Sequence, residues 1–162
     1  MEIESILEKM RASDRFLVKE PKGKPVINEK HFVSSDVEKF HQLCGGIECY
    51  ADGSAFSIRI LSPEEVSQAN LVLLGEEFDE DISSSWYLIA DAEDQNYISI
   101  DFSKERNGRC YESFVETHAL KDNCPIIARS FTELLLYILT YEGDYFYWKD
   151  NDNFVGYGDA YQ

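Results

Sequence analysis

Three short runs rich in aromatic and β-branched residues follow one another between positions 86 and 114 with no helical stretch between them. Trp86-Tyr87-Leu88-Ile89-Ala90 and Tyr97-Ile98-Ser99-Ile100-Asp101-Phe102 flank the polar stretch Asp91-Ala92-Glu93-Asp94-Gln95-Asn96, and Arg109-Cys110-Tyr111-Glu112-Ser113-Phe114 comes next. A short polar link between two such runs reads as a hairpin loop. Strands that succeed one another without a helical crossover pair antiparallel. The alternating run Phe56-Ser57-Ile58-Arg59-Ile60 adds a strand ahead of them. The expected class is therefore α+β, with helices packed around a mainly antiparallel sheet.

Four helices are expected. Ile3, Ile6, Leu7 and Met10 form an i, i+3, i+4, i+7 stripe. A Lys- and Pro-bearing loop, Lys19 to Pro25, follows and is best read as exposed and solvated. A second helix starts at Ser35 with Glu38 as its capping-box partner, buries Val37, Phe40 and Cys44, and ends at Gly45-Gly46, where glycine suits a left-handed cap. Ser62-Pro63-Glu64-Glu65 is the strongest start signal, with a capping serine, an N1 proline and a closing glutamate. Ser130-Phe131-Thr132-Glu133 repeats the device, with the stripe Phe131, Leu134, Leu135 and Ile138.

A chain of 162 residues, 44% hydrophobic and 14% aromatic, is sized for one domain with a packed core. The first residues are acidic and lack a basic region followed by an apolar run, so no leader is expected. Leu134–Leu139 is too short to span a bilayer, which needs about 20 residues. Cys44, Cys49, Cys110 and Cys124 show no CxxC spacing and read as reduced thiols of a cytoplasmic protein.

Charge narrows the function. The net charge is −16, which argues against nucleic acid or anionic lipid as ligand, since both call for clustered Lys and Arg. Residues 1–40 carry eight basic and eight acidic side chains, whereas residues 60–103 carry eleven acids and no Lys or Arg. Glu76, Glu77, Asp79, Glu80, Asp81, Asp91, Glu93, Asp94 and Asp101 belong to that stretch. Charge alone favours a solvated acidic face that keeps the chain soluble. The sharper expectation is a docking surface for a cationic protein.

The order of Gly45-Gly46, Phe56–Val66 (FSIRILSPEEV), Tyr87–Phe102 (YLIADAEDQNYISIDF), Gly108–Phe114 (GRCYESF) and Ser130–Leu135 (SFTELL) resembles the SUKH superfamily. That group contains fungal cell-wall-assembly regulators and many bacterial immunity proteins. The resemblance covers residues 35–140 and rests on the order and spacing of the pieces, none of which is diagnostic alone. It implies an α+β fold and a non-catalytic role: binding and blocking a toxin domain, often a nuclease. It carries over no catalytic residue and no cofactor. Asp94-Gln95-Asn96 stands where many relatives have a Gly-rich turn, and the tail from Tyr141 lies outside the match.

That tail, residues 141–162, holds eight aromatic residues interleaved with acids. It is expected to close as a hairpin of Tyr145–Trp148 and Phe154–Tyr157 around Asp150-Asn151-Asp152-Asn153, with at least half its rings packed on the sheet. The rings left outside, with Trp148 and Tyr157 as candidates, would serve as anchors for a partner. The candidate partner-binding set is therefore Glu76, Glu77, Asp79, Glu80, Asp81, Asp91, Glu93, Asp94, Trp148 and Tyr157.

Other chemistries fit less well. Asp150–Phe154 lacks the glycine and distal glutamate of a calcium loop. Asp91, Glu93, Asp94 and Asp101 share proximity and nothing else that points to a cation. His31, His41 and His118 are dispersed, without zinc spacing, so no metal is expected. GxSxG, P-loop and GxGxxG are all missing. Cys110 beside Arg109 reads better as a core thiol than as a nucleophile. Two readings stand behind a toxin-binding protein: a regulatory scaffold like the cell-wall branch, and, further back, an enzyme acting through clustered carboxylates.

Overall fold

A computed structural model describes all 162 residues. In chain order the elements are α1 (Ile3–Arg11), β1 (Phe16–Val18), α2 (Ser35–Leu43), β2 (Ile47–Cys49), β3 (Ile58–Ile60), α3 (Ala69–Leu74), β4 (Trp86–Asp91), β5 (Asn96–Asp101), β6 (Cys110–Phe114), β7 (Ile126–Ala128) and α4 (Phe131–Thr140). Single 3-10 turns occupy Pro63–Glu65, Ile82–Ser85 and Tyr147–Lys149. All seven strands lie side by side in sequence order, each antiparallel to the next. The α+β class and the antiparallel sheet are as expected.

The two clearest helical stripes fold as helices. Ile3, Ile6, Leu7 and Met10 are buried on α1, and Phe131, Leu134, Leu135 and Ile138 on α4. These helices and α2 pack on one another, with the Phe40 ring edge-on to Phe131 at 4.9 Å. Ser130 caps α4 by accepting from the Glu133 N–H at 3.0 Å. In α2 the capping differs from the expected box. Ser34 is the N-cap, and Asp36 accepts from Ser34 Oγ and, across the gap, from the Thr132 N–H and Oγ1 of α4.

The Gly45-Gly46 pair serves a close approach rather than a left-handed cap. Its backbone exchanges hydrogen bonds with Lys19, both 2.9 Å long. At Gly46, φ is +132°, and a Cβ there would stand 2.8 Å from the Ile60 carbonyl oxygen. The expected third helix shrinks to one 3-10 turn at Pro63–Glu65, although Ser62 and Glu65 do form their capping box. Sheet pairing explains this: Leu88 N–H donates to the Ser67 carbonyl at 2.8 Å and Gln68 bridges Tyr87. The chain resumes helix only at Ala69, where Gln68 Oε1 accepts from the Leu71 N–H.

The β4–β5 turn is closed by Ala92 N–H to Asn96 O at 2.8 Å and Asn96 N–H to Glu93 O at 3.0 Å. Glu93, Asp94 and Gln95 all have positive φ (70°, 56° and 64°), a conformation costing roughly 1–2 kcal/mol per non-glycine residue. The C-terminal hairpin is not formed. Tyr147–Lys149 is a 3-10 turn rather than a strand, and Phe146, Tyr147 and Trp148 are buried in succession. Their polar handles find partners in the sheet: Tyr147 OH donates to the Ile127 carbonyl and Trp148 Nε1–H to Glu112. The last residues pair with the start of β7 instead, through Ile126 N–H to Gly158 O and Ala160 N–H to Cys124 O.

Candidate functional site: an apolar ridge with an acidic rim

Helix α3 is amphipathic in the reverse sense. Its inward side is Ala69 and Asn70, and polar bonds hold it there. Asn70 Nδ2 donates to Ser83 Oγ at 2.9 Å, so Asn70 Oδ1 is left to accept from His118 Nε2 at 2.7 Å. Gln68 Nε2 donates to the carbonyls of Ser83 and Ser84. The outward side carries Leu71, Val72 and Leu74, exposed at 48%, 49% and 43%, and Phe78 follows at 40%. Four large apolar side chains open to water within eight residues form a patch of the kind that marks interaction sites.

Glu76, Glu77, Asp79 and Glu80 border this ridge, all exposed and none in an ion pair. Asp81 is different. It accepts from the Ser83 N–H at 3.0 Å and from Tyr161 OH at 2.7 Å, tying the C-terminus to the ridge's base. Burial raises its pKa, but the bonds from Ser83 and Tyr161 outweigh it and hold the carboxyl below its usual range. A groove of about 480 Å³ is lined by Glu80 and Asp81 together with Phe32 and Arg106.

The candidate acids thus fall into two groups rather than one. β4 separates the ridge from the hairpin tip, roughly 20 Å for a six-residue strand. At the tip Glu93 and Asp94 are exposed and unpaired, while Asp91 is committed to Arg59 Nη2 at 3.1 Å and to the Glu93 N–H at 2.7 Å. Asp101 is fully buried and bonded to Ser85, Tyr111, Arg106 and the Ser103 N–H, so it faces no ligand.

The two candidate aromatic anchors are packing residues. Trp148 is 7% exposed and bonded to Glu112, which also pairs with Lys149 at 2.8 Å. Tyr157 is half-buried, its hydroxyl against that of Tyr137 and its ring under the Arg129 guanidinium at 4.8 Å. Besides Phe78, the open rings are Phe32, Phe56 and Tyr145, at 53%, 51% and 41% exposure, none of them among the two anchors expected from the sequence. Leu71, Val72, Leu74 and Phe78 carry no sequence signal of exposure either, because tertiary packing decides whether an apolar side chain faces water.

The cysteine thiols are not poised as nucleophiles. All four cysteines are buried and free. Burial pushes the thiols of Cys44 and Cys124 up to about 11 and raises Cys110 well above its ordinary value. Arg109 therefore does not activate Cys110. No three His, Cys, Asp or Glu side chains converge as metal ligands would, and no helix is long and apolar enough to cross a membrane.

Residues 32–137 match the model of the SMI1 / KNR4 family (SUKH-1). The chain is 36% identical over 161 residues to a Bacillus subtilis (strain 168) protein named Immunity protein YokJ, covering 99% of this chain and 96% of that one. No solved structure matches. With a matched segment that runs from α2 into α4 and a relative aligned almost end to end, the chain belongs to the SMI1 / KNR4 family (SUKH-1) of the SUKH superfamily.

Proposed function

We propose that this chain is a cytoplasmic immunity protein that neutralises a cognate protein toxin, of nuclease type, by direct stoichiometric contact with the toxin's basic face. The role follows its immunity-protein relative, and the ridge carries the physical case. An apolar centre of Leu71, Val72, Leu74 and Phe78 excludes water on contact, while Glu76, Glu77, Asp79 and Glu80 around it meet cations. Such a rim mainly speeds encounter, and the apolar centre sets residence time. A nuclease grips phosphate with Lys and Arg, so a carboxylate-rimmed surface competes for the groove its substrate would occupy.

The test uses the toxin domain encoded beside this gene. Wild-type protein should form a 1:1 complex and stop cleavage of nucleic acid. Charge reversal to Lys at Glu76, Glu77, Asp79 and Glu80 together should slow association at low salt by about tenfold or more. Phe78→Ala should speed dissociation, costing roughly 1–3 kcal/mol. No complex with wild type would sink the immunity role, whereas a complex indifferent to both sets of changes would sink only the ridge.

A further inference from the structure

At the far end of the β4–β5 hairpin from the ridge, a cavity of about 370 Å³ is walled by Phe56, Phe114, Tyr145 and Phe146 and lipped by Glu93 and Asp94. Phe56 stands edge-on to Tyr145 and to Phe146, with centroids 4.8 and 5.3 Å away and planes at 80° and 85°. Two of these rings, Phe56 and Tyr145, remain broadly open to water. The neighbouring bases are already engaged: Arg59 pairs with Glu65 and Asp91, and Lys149 with Glu112. Glu93 and Asp94 have no such partner. The aromatic wall also holds one cation of the chain itself, since the Lys149 ammonium lies 5.3 Å from the centre of the Phe114 ring.

We propose that this cavity receives one cationic side chain, arginine or lysine, from the bound protein partner. This rests on the reading of a basic partner and adds a second anchor, a hairpin's length from the ridge. The rings offer π faces to the charge and apolar walls to its methylene stem, and the two carboxylates at the lip neutralise it. An anion would be repelled there. An uncharged apolar side chain would leave both carboxylates facing the contact without a partner.

The experiment needs no toxin. N-acetyl-arginine amide and N-acetyl-lysine amide are titrated into 15N-labelled protein, with N-acetyl-citrulline amide as the neutral counterpart of arginine. Saturable amide shifts are expected at Ser57, Glu93–Asn96, Tyr145 and Phe146 with the cations and not with citrulline, and their relative affinities tell arginine from lysine. The double variant Glu93→Gln/Asp94→Asn, isosteric at the lip, should bind about fivefold more weakly, as should Phe56→Ala. Shifts that are absent up to the solubility limit of the ligands, that scatter over the surface, or that citrulline matches would overturn the proposal. Failure here leaves toxin neutralisation intact. Toxin that fails to bind a protein with a working cation site removes the partner and keeps the site.

Discussion

Asp36 holds two helices together. One carboxylate oxygen accepts from Ser34 Oγ at 2.7 Å and from the Val37 N–H at 3.0 Å, and the other accepts from the Thr132 N–H at 2.9 Å and Oγ1 at 3.0 Å. Removing it leaves first-turn donors of both α2 and α4 without partners, so Asp36→Ala should cost about 2 kcal/mol in denaturant unfolding. Ser35→Ala, at the position the sequence suggests as the cap, should stay within roughly 0.5 kcal/mol, because Ser35 is exposed and caps nothing. His118 sets a pH dependence at the same scale. It is 3% exposed, and burial pushes its pKa down from 6.5 to about 4, with Asp81 pulling the other way. The unfolded chain takes up this proton near pH 6.5 and the folded chain only near pH 4. Stability is therefore complete above pH 6.5 and falls as pH drops towards 4, by up to about 3 kcal/mol. His41, also lowered by burial, adds to the same decline. His118→Gln can still donate to Asn70 and should flatten unfolding free energy measured from pH 7 to 5; an unchanged slope would remove His118 from this account.

Among the elements, α3 is the one whose sequence and environment disagree. Leu71, Val72 and Leu74 face water while Asn70 faces inward beside Ala69 and the half-buried Leu73, so its place depends on hydrogen bonds to Ser83 and His118 as well as on apolar contact. Polar replacement of Leu71 and Val72 should leave stability within about 0.5 kcal/mol of wild type, while Asn70→Ala should cost roughly 1–3 kcal/mol by stranding buried partners. Thermal or denaturant unfolding of the two variants checks both halves. What was legible in the sequence follows the same physics. The stripes of α1 and α4 and the runs of β4, β5 and β6 are long enough for period and composition to show. β1, β2 and β7 have three residues each, too few to carry a pattern. The start signal at Ser62 is real, but Ser67 and Gln68 are claimed by β4 before a helix can grow. At the site, the sequence exposed the acids because charge is read directly. It hid the apolar ridge and the Phe56–Tyr145 wall because whether a leucine or a phenylalanine faces water is decided by tertiary packing. The aromatic tail misled in the opposite direction, since Tyr147 and Trp148 turn inward to satisfy their polar atoms on Ile127 and Glu112.

For the whole molecule, a net charge of −16 means that folding gathers like charges. The acids with defined partners are mostly structural: Glu65 and Asp91 hold Arg59, Asp101 holds Arg106 and Glu133 holds Arg129. Those at the ridge and the hairpin tip are unpaired. Screening should relieve this repulsion, so the melting temperature should rise by a few degrees between about 20 and 200 mM sodium chloride. The same screening should slow capture of a basic partner. Both effects have one source, negative potential concentrated around two open apolar surfaces at opposite ends of one hairpin. Hydrogen–deuterium exchange of the free protein and of the proposed 1:1 complex with a toxin domain tests this most directly. Protection gained over residues 69–80 and 92–96 is the predicted result. Protection confined to α1 and α2, with both acidic segments exchanging as in the free protein, would contradict it.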